Sequence, residues 1–562
     1  MTPGAAARPA LLGIDLGTSS VKAVITDLEG AVLSQATGDY SVVHDRPGWA
    51  ETDPADWLAA TVSTVRQAVG EAHADPQAIG LSGQMHGVVP TDASGQPVRR
   101  AMLWSDARAV GELTRYENLP DDVRIRLANP LTPGMAGPML AWLVRHERDT
   151  YRRLRWALQP KDWLRAQLTG GFASEPSDAS ATLLYDLSRD AWDGEVVEAL
   201  GLDAAILPEL LPNAGHRAGE LTSRAADLLG LRAGIPVAAG AADTAAAALG
   251  SGLVHAGTAQ LTIGTGAQVV TPLTGLPAGL SGRSPVTHLY RAATEYGWYA
   301  MAAVLNGGLA LAWVRQVLGM SWQELYDSAE DEPEPDDPFF LPHLNGERTP
   351  YLDPGLRGAW TDLAPRHDRP RLARAALEGV AFAIRDAVGS VLSPAMGIDQ
   401  LRLAGGGSTH AGWRQLLADV LGYPLHAVDV AAASGRGAAM LGGKAAGLLD
   451  ERLLLARLRP VTSLAAQPVA HRSAWYAERH QGFLRKLHAL RATDSAPAGP
   501  SRAVIDVSRT AGASASAMNG VIGASMTRRK LASSRALTRT PEAIDRSGDP
   551  DGRDSGAHAP TL

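Results

Sequence analysis

Two spacings of apolar residues alternate along this chain. Leu11–Ile14 and Val21–Thr26 are short apolar runs separated by Asp15-Leu16-Gly17-Thr18-Ser19-Ser20, and a third begins at Ala31 after Glu29-Gly30. Runs this short, bounded by Gly and small polar residues, predict neighbouring strands joined by tight turns. Longer stretches, Pro54 to Glu71 and Pro138 to Arg153, predict helices. Near Gly257 the opening pattern returns: Ala259–Ile263 is apolar, Gly264-Thr265-Gly266 interrupts it, and Val269-Val270 resumes. The echo predicts two related α/β domains, 1–252 and 253–490, meeting near Ser251–Gly257.

Gly297 to Val314 is about 18 residues of mostly small and apolar character, barely a bilayer's thickness. It carries Asn306 and several Gly, so it predicts a small-residue helix inside a globular domain. The acidic, Pro-rich stretch from Glu330 to Pro338 predicts an exposed loop. The first apolar run leads straight into Asp15, unlike a secretory leader, so a soluble cytoplasmic protein without membrane partners is expected. No Phe, Tyr or Trp follows Phe483, and from Asp494 Ala, Ser, Arg, Thr, Gly and Asp dominate without sustained period. Such a composition cannot bury enough apolar surface to fold, and 491–562 is expected to be a disordered tail. Its Arg528-Arg529-Lys530 run reads as a solvated charge cluster.

Composition removes several classes of function. The 562 residues include no Cys, which excludes a disulfide scaffold, Cys-ligated zinc, an iron–sulfur centre and a Cys nucleophile. A formal charge of −7 argues against wrapping nucleic acid. None of the five Lys fits a Walker A loop, and no G-x-G-x-x-G sits at a strand–helix junction. The 15 His show no metal-ligand spacing.

Five constellations could carry chemistry. In Gly13 to Ser20, a carboxylate ends an apolar run ahead of Gly17, Thr18 and Ser19. Such a turn can offer amides and hydroxyls to phosphate and an Asp15 oxygen to Mg²⁺, or be an Asp-capped hairpin. Gly264 and Thr265 repeat that chemistry later, and the two turns could clamp a polyphosphate from both sides of a cleft. Gly405, Gly406 and Gly407 lead from a strand to a helix, as a flexible loop or a close approach to a nucleotide. Asp243, among Ala and Gly before an Ala-rich helix, is either the helix cap or a general base facing a sugar hydroxyl. Finally Gln84, Met85 and His86, with Trp104, Asp106 and Arg108 downstream, supply polar groups and an apolar ring face for hydroxyls and sugar. A lone His at a strand end can equally be a satisfied structural group.

Taken in order, the segments GIDLGTSSVKAV, LSGQMHG, AMLWSDAR, LQPKDWLRAQLTGGFASEPSDASATLLYDL, LPHLNGERTP, ARAALEGVAFAIRD and LAGGGSTHAGWRQLLADVLG resemble the FGGY family of carbohydrate kinases, specifically its xylulose-phosphorylating branch. The resemblance spans Leu11 to Leu487. It implies two actin-like, ribonuclease-H-like domains with ATP and sugar in the cleft between them. It also implies ATP-dependent phosphorylation of a ketopentose, D-xylulose to D-xylulose 5-phosphate. By that likeness Asp15 organises Mg²⁺, Gly17, Thr18, Ser19, Gly264 and Thr265 line the phosphates, and Gly405–Gly407 approach the nucleotide. Met85 and His86 match the family's sugar-binding positions and Asp243 its base, while Gln84, Trp104, Asp106 and Thr244 are expected at the sugar from their own chemistry and position. Two positions depart from the family pattern. Thr244 stands where relatives carry Asn, and Gly264-Thr265-Gly266-Ala267 replaces Gly-Thr-Ser-Gly. A kinase for ribulose or a sugar alcohol, and a catalytically weak sugar- or ATP-binding regulator, are the alternatives; a homodimer is left open.

Overall fold

The computed structural model of the chain describes residues 8–277, 285–392, 398 and 400–494. The Arg528-Arg529-Lys530 cluster and nearly all of the expected tail lie outside the described residues.

The opening runs form three strands, β1 (Arg8–Leu16), β2 (Ser20–Thr26) and β3 (Val32–Asp39), each antiparallel to the one before. Asp27 fixes the second turn by accepting from the amides of Glu29 and Ala31, while Gly30 takes φ +85°. The helix α1 (Pro54–Ala72), capped by Asp53, crosses back and buries Trp57 and Val65. It delivers β4 (Ala74–Gly83) parallel to β1. The stretch expected as one helix from Pro138 is two, α2 (Ala136–His146) and α3 (Arg148–Arg153). The break is at Glu147, which leaves helical geometry while its carboxylate pairs with Arg99. Next come α4 (Pro160–Thr169), β5 (Arg217–Glu220), β6 (Pro236–Ala238), β7 (Ala241–Ala242) and α5 (Asp243–Gly250). The first sheet runs β5-β6-β4-β1-β2-β3, with β7 pairing β4.

The echo in the sequence is a real repeat. Strands β8 (Thr258–Ile263), β9 (Ala267–Leu273), β10 (His288–Arg291) and β11 (Trp298–Val304) are antiparallel neighbours. After α6 (Gly308–Val317) and the long α7 (Arg369–Val391), β12 (Gln400–Ala404) returns parallel to β8. Helix α8 (Ala411–Leu421), β13 (Leu425–Val428), α9 (Ala433–Ala445), β14 (Thr462–Ala466) and α10 (Ala470–Asp494) complete the chain. The second sheet runs β10-β11-β9-β8-β12-β13-β14. In the first sheet β1, β2 and β3 are antiparallel neighbours while β4 and β6 run parallel to β1. In the second β8, β9, β10 and β11 are antiparallel neighbours while β12 and β13 run parallel to β8.

Gly297 to Val314 is not a single helix. It is β11, a break at Asn306-Gly307, and α6. Alternating small side chains pair it with β9 and β10, and the Asn306 side-chain amide donates to the Gly346 carbonyl and the Glu347 carboxylate. Among the described residues no helix is long and apolar enough to cross a membrane.

Helix α9, made late in the chain, lies against the first sheet. A Cβ at Gly13 of β1 would stand 1.9 Å from the Gly435 carbonyl oxygen, and one at Gly80 of β4 1.8 Å from that of Ala438. Only a bare α-carbon permits that approach. The same helix packs along α5, where Gly250 and Gly437 face the Ala433 and Ala246 carbonyls.

Candidate active site

Asp15 and Asp243 stand close enough for the charge of one to act on the other. Asp15 is the penultimate residue of β1, directly opposite Lys22 on β2, and its Oδ1 accepts from Ser82 Oγ at 2.7 Å. Burial raises its carboxyl above the usual range, with Ser82 and Lys22 opposing. The turn that follows is held from several sides. Gly17 N donates to the Ser20 carbonyl at 2.9 Å, and the Gly17 carbonyl accepts from Tyr40 Oη at 2.6 Å and Gln84 Nε2 at 3.0 Å. Trp104 Nε1 donates to Thr18 Oγ1 at 2.9 Å, leaving Ser19 exposed at the tip.

Asp243 is the first residue of α5, and the capping position belongs to Ala242, which supplies no side-chain bond. Its Oδ1 accepts from Thr244 N at 2.5 Å and Thr244 Oγ1 at 3.1 Å. Burial pushes the Asp243 carboxyl up to about 7, and the charge of Asp15 adds to the rise. The two carboxyls repel each other while Lys22 opposes the rise at Asp15, and carboxylate oxygens are the donor type a hard cation such as Mg²⁺ takes.

The second turn, Gly264 to Gly266, closes with Gly264 N on the Gly266 carbonyl at 2.8 Å. It is seated on α6, whose Gly308 and Leu309 amides donate to the carbonyls of Gly264 and Thr265. Gly264 and Thr265 are exposed. Gly405, at φ +93°, sits against the Ile263 carbonyl at the end of β8, Gly406 is exposed, and the Gly407 carbonyl accepts from Trp413 Nε1 at 3.0 Å. A cavity of about 230 Å³ joins these parts, lined by Thr244, Gln260, Thr262, Gln268, Gly405 and Ala433.

On the other flank of Asp243, β4 ends in Gln84-Met85-His86-Gly87. Gly87 N donates to the Met85 carbonyl at 2.9 Å around His86, whose φ is +77°. That strained turn aims the imidazole at β10. His86 Nδ1 bonds the Ala181 carbonyl at 2.9 Å, and its ring lies 6.2 Å from His288 and 5.9 Å from Tyr290. Burial holds His86 near pKa 4, with Arg348 adding to the drop, and burial lowers His288 well below the usual imidazole range, so both are neutral at pH 7. Met85 is buried beneath Tyr299.

Two expected sugar ligands are engaged elsewhere. Gln84 gives its amide nitrogen to the first turn. Asp106 is buried and accepts from Ala50 N, Arg108 N and the Arg108 guanidinium. Gln84 Oε1 remains without a hydrogen-bond partner among the described residues. Residues the sequence reading passed over lie beneath the base. Lys161 Nζ donates to Asp162 Oδ1 at 2.7 Å and stands 3.2 Å from Asp178 and 3.4 Å from Glu175. Burial would lower the Lys161 ammonium, but the carboxylates of Asp162, Asp178 and Glu175 more than reverse it. Burial raises Asp178 well above the usual carboxylate range against the opposing charge of Lys161, and Asp162 and Glu175 also face that ammonium, with Asp162 shared by Arg165. Lys161 and Arg165 also donate to the Ala239 carbonyl, and Glu175 holds Ser177, whose Oγ accepts from Ala242 N at 2.9 Å. The loop carrying Asp243 is thus gripped from both ends. The run PKDWLR…SEPSDAS carried this signal as charges among apolar residues, without saying what they hold.

Residues 10–250 match the N-terminal domain of the FGGY family of carbohydrate kinases, and residues 259–446 match its C-terminal domain. The chain belongs to the FGGY family of carbohydrate kinases. It is 35% identical over 483 residues to a xylulose kinase of Escherichia coli K12, covering 84% of this chain and 98% of that one. It is 32% identical over 461 residues to a glycerol kinase of Alkalilimnicola ehrlichii, covering 79% and 91%. Among solved structures, a crystal structure titled a xyloylose kinase from Brucella ovis superposes with a TM-score of 0.79 at 33% identity, over 86% of this chain and all of that one. A duplicated kinase fold therefore holds the Asp15–Asp243 pair.

Proposed function

We propose that this FGGY carbohydrate kinase transfers the γ-phosphoryl group of ATP to the C5 hydroxyl of D-xylulose, giving ADP and D-xylulose 5-phosphate. The carrying observation is the carboxylate of Asp243, raised to about 7 at the head of α5 and facing Asp15 across the site. Xylulose as acceptor rests on the xylulose kinases this chain resembles and on the likeness of its Gln84-Met85-His86-Gly87 segment to the family pattern. Asp243 takes the hydroxyl proton as that oxygen forms its bond to phosphorus, while the bond from phosphorus to the bridging oxygen of ADP breaks. The turn at Gly17, Thr18 and Ser19 and the turn at Gly264 and Thr265 hold the phosphates, and Gly405–Gly407 border the nucleotide. Met85, His86, Trp104 and Thr244 line the sugar. Asp15, with Asp243, would hold Mg²⁺, which neutralises phosphate charge when bound. Once both substrates are gripped, the lobes exclude water that would otherwise take the phosphoryl group.

A second reading, a polyol acceptor, is favoured by Thr244, which offers one hydroxyl in place of a side-chain amide. ADP release measured over D-xylulose, D-ribulose, glycerol and xylitol, with a no-sugar control, separates the two. The highest kcat/KM on D-xylulose is expected. A higher value on a polyol moves the assignment to the second reading.

A further inference from the structure

A guanidinium at the mouth of the sugar side has no use in the account so far. Arg348 lies in the segment Asn345 to Pro350 of the second lobe, half-buried, with its Cζ 5.6 Å from the ring centroid of Trp104 of the first lobe. No hydrogen bond or ion pair to its guanidinium occurs among the described residues. The neighbouring carboxylate cannot supply one. Glu347 is occupied by the amides of Leu305 and Arg348 itself, at 2.7 and 2.9 Å, and by Asn306 Nδ2 and His343 Nδ1, both at 3.2 Å. The segment is therefore braced while its cation is left open, although burial disfavours that charge. Around it stand His86, His288 and Tyr290, all neutral. The charges of Arg348 and Asp243 both act on Tyr290.

We propose that Arg348 is a substrate-binding residue that sets the enzyme's preference for a ketose. Its planar fork donates paired hydrogen bonds to the ketone oxygen and an adjacent hydroxyl, at the end of the acceptor remote from the hydroxyl being phosphorylated. The inference rests on the ketose reading above and adds which residue reads the carbonyl. A guanidinium suits this task because its donors are coplanar and fixed, and a carbonyl oxygen is a stronger acceptor than the hydroxyl of the corresponding alditol.

The test compares D-xylulose with xylitol, which differs at that carbon alone, in wild type, Arg348→Met and Arg348→Lys. Steady-state kcat/KM and the KM for ATP are measured, with melting temperature as a check of folding. Arg348→Met is expected to lose about 100-fold in kcat/KM for D-xylulose, chiefly through KM, and less than about 10-fold for xylitol, with KM for ATP within about twofold. Arg348→Lys keeps the charge without the fork and falls between; it carries the test if the Met variant does not fold. Equal losses on both acceptors, unchanged D-xylulose kinetics, or a main effect on KM for ATP would each overturn the assignment. A wild type that phosphorylates no ketose overturns the function itself along with it, so the two failures are told apart by the wild-type rates.

Discussion

The carboxyl group of Asp243 combines two tasks that pull against stability. In the proposed reaction it is the base near neutral pH, and burial together with the nearby charge of Asp15 raises it toward that range. Activity is therefore expected to fall as pH drops below about 7, where the base is protonated. The same shift acts on folding with a definite sign. The folded protein holds this proton up to about pH 7 whereas an unfolded Asp releases it near 4, so folding stability declines as pH rises across that window. Asp243→Asn is expected to lower kcat by about 1,000-fold or more yet to melt on the order of 2–4 °C higher than wild type at pH 8, converging with it near pH 4. Turnover assays and melting curves at the two pH values check both halves. Asp15 and Asp243 were legible in the sequence because an acid in small, apolar company is uncommon. The bonds of Gln84 to Gly17 and of Asp106 to Ala50 were not, since those partners lie 67 and 56 positions away in the chain.

Among elements, the loop before α5 and the contact of α9 with the first sheet matter most. Ser177→Ala removes the acceptor for the Ala242 amide and is expected to lower kcat about 10-fold while leaving KM for ATP unchanged. A Ser177→Thr variant, which restores the hydroxyl, is expected to recover most of that loss. Gly80→Ala would press a methyl group into the Ala438 carbonyl, and chemical denaturation should show a loss of about 4 kcal/mol or more, or no soluble protein. Strand runs at Leu11–Ile14 and Ala259–Ile263 were readable from their Gly-bounded brevity, and the helix from Pro54 from its period. Gly297 to Val314 misled because small residues suit a strand and a helix equally. What decides there is Asn306, bound to a segment some 40 positions away that no local pattern can indicate.

For the molecule as a whole, duplication of one sheet plan explains why two turns of similar composition occur, each at the end of the first strand of its own sheet. Both sheets and both core faces are complete within the residues that end at α10. Deleting residues 495–562, a stretch without Phe, Tyr or Trp, is accordingly expected to leave kcat and melting temperature within error of the full chain. A drop in either would show that the stretch contributes to the fold. The placement of α9 has an outcome in biosynthesis. While the ribosome is still adding the second half, the glycine-lined back of the first sheet is a bare groove awaiting its cover. Nascent chains halted before residue 433 should therefore bind folding helpers or clump, and the first half expressed alone should be rescued by supplying the missing helix in trans.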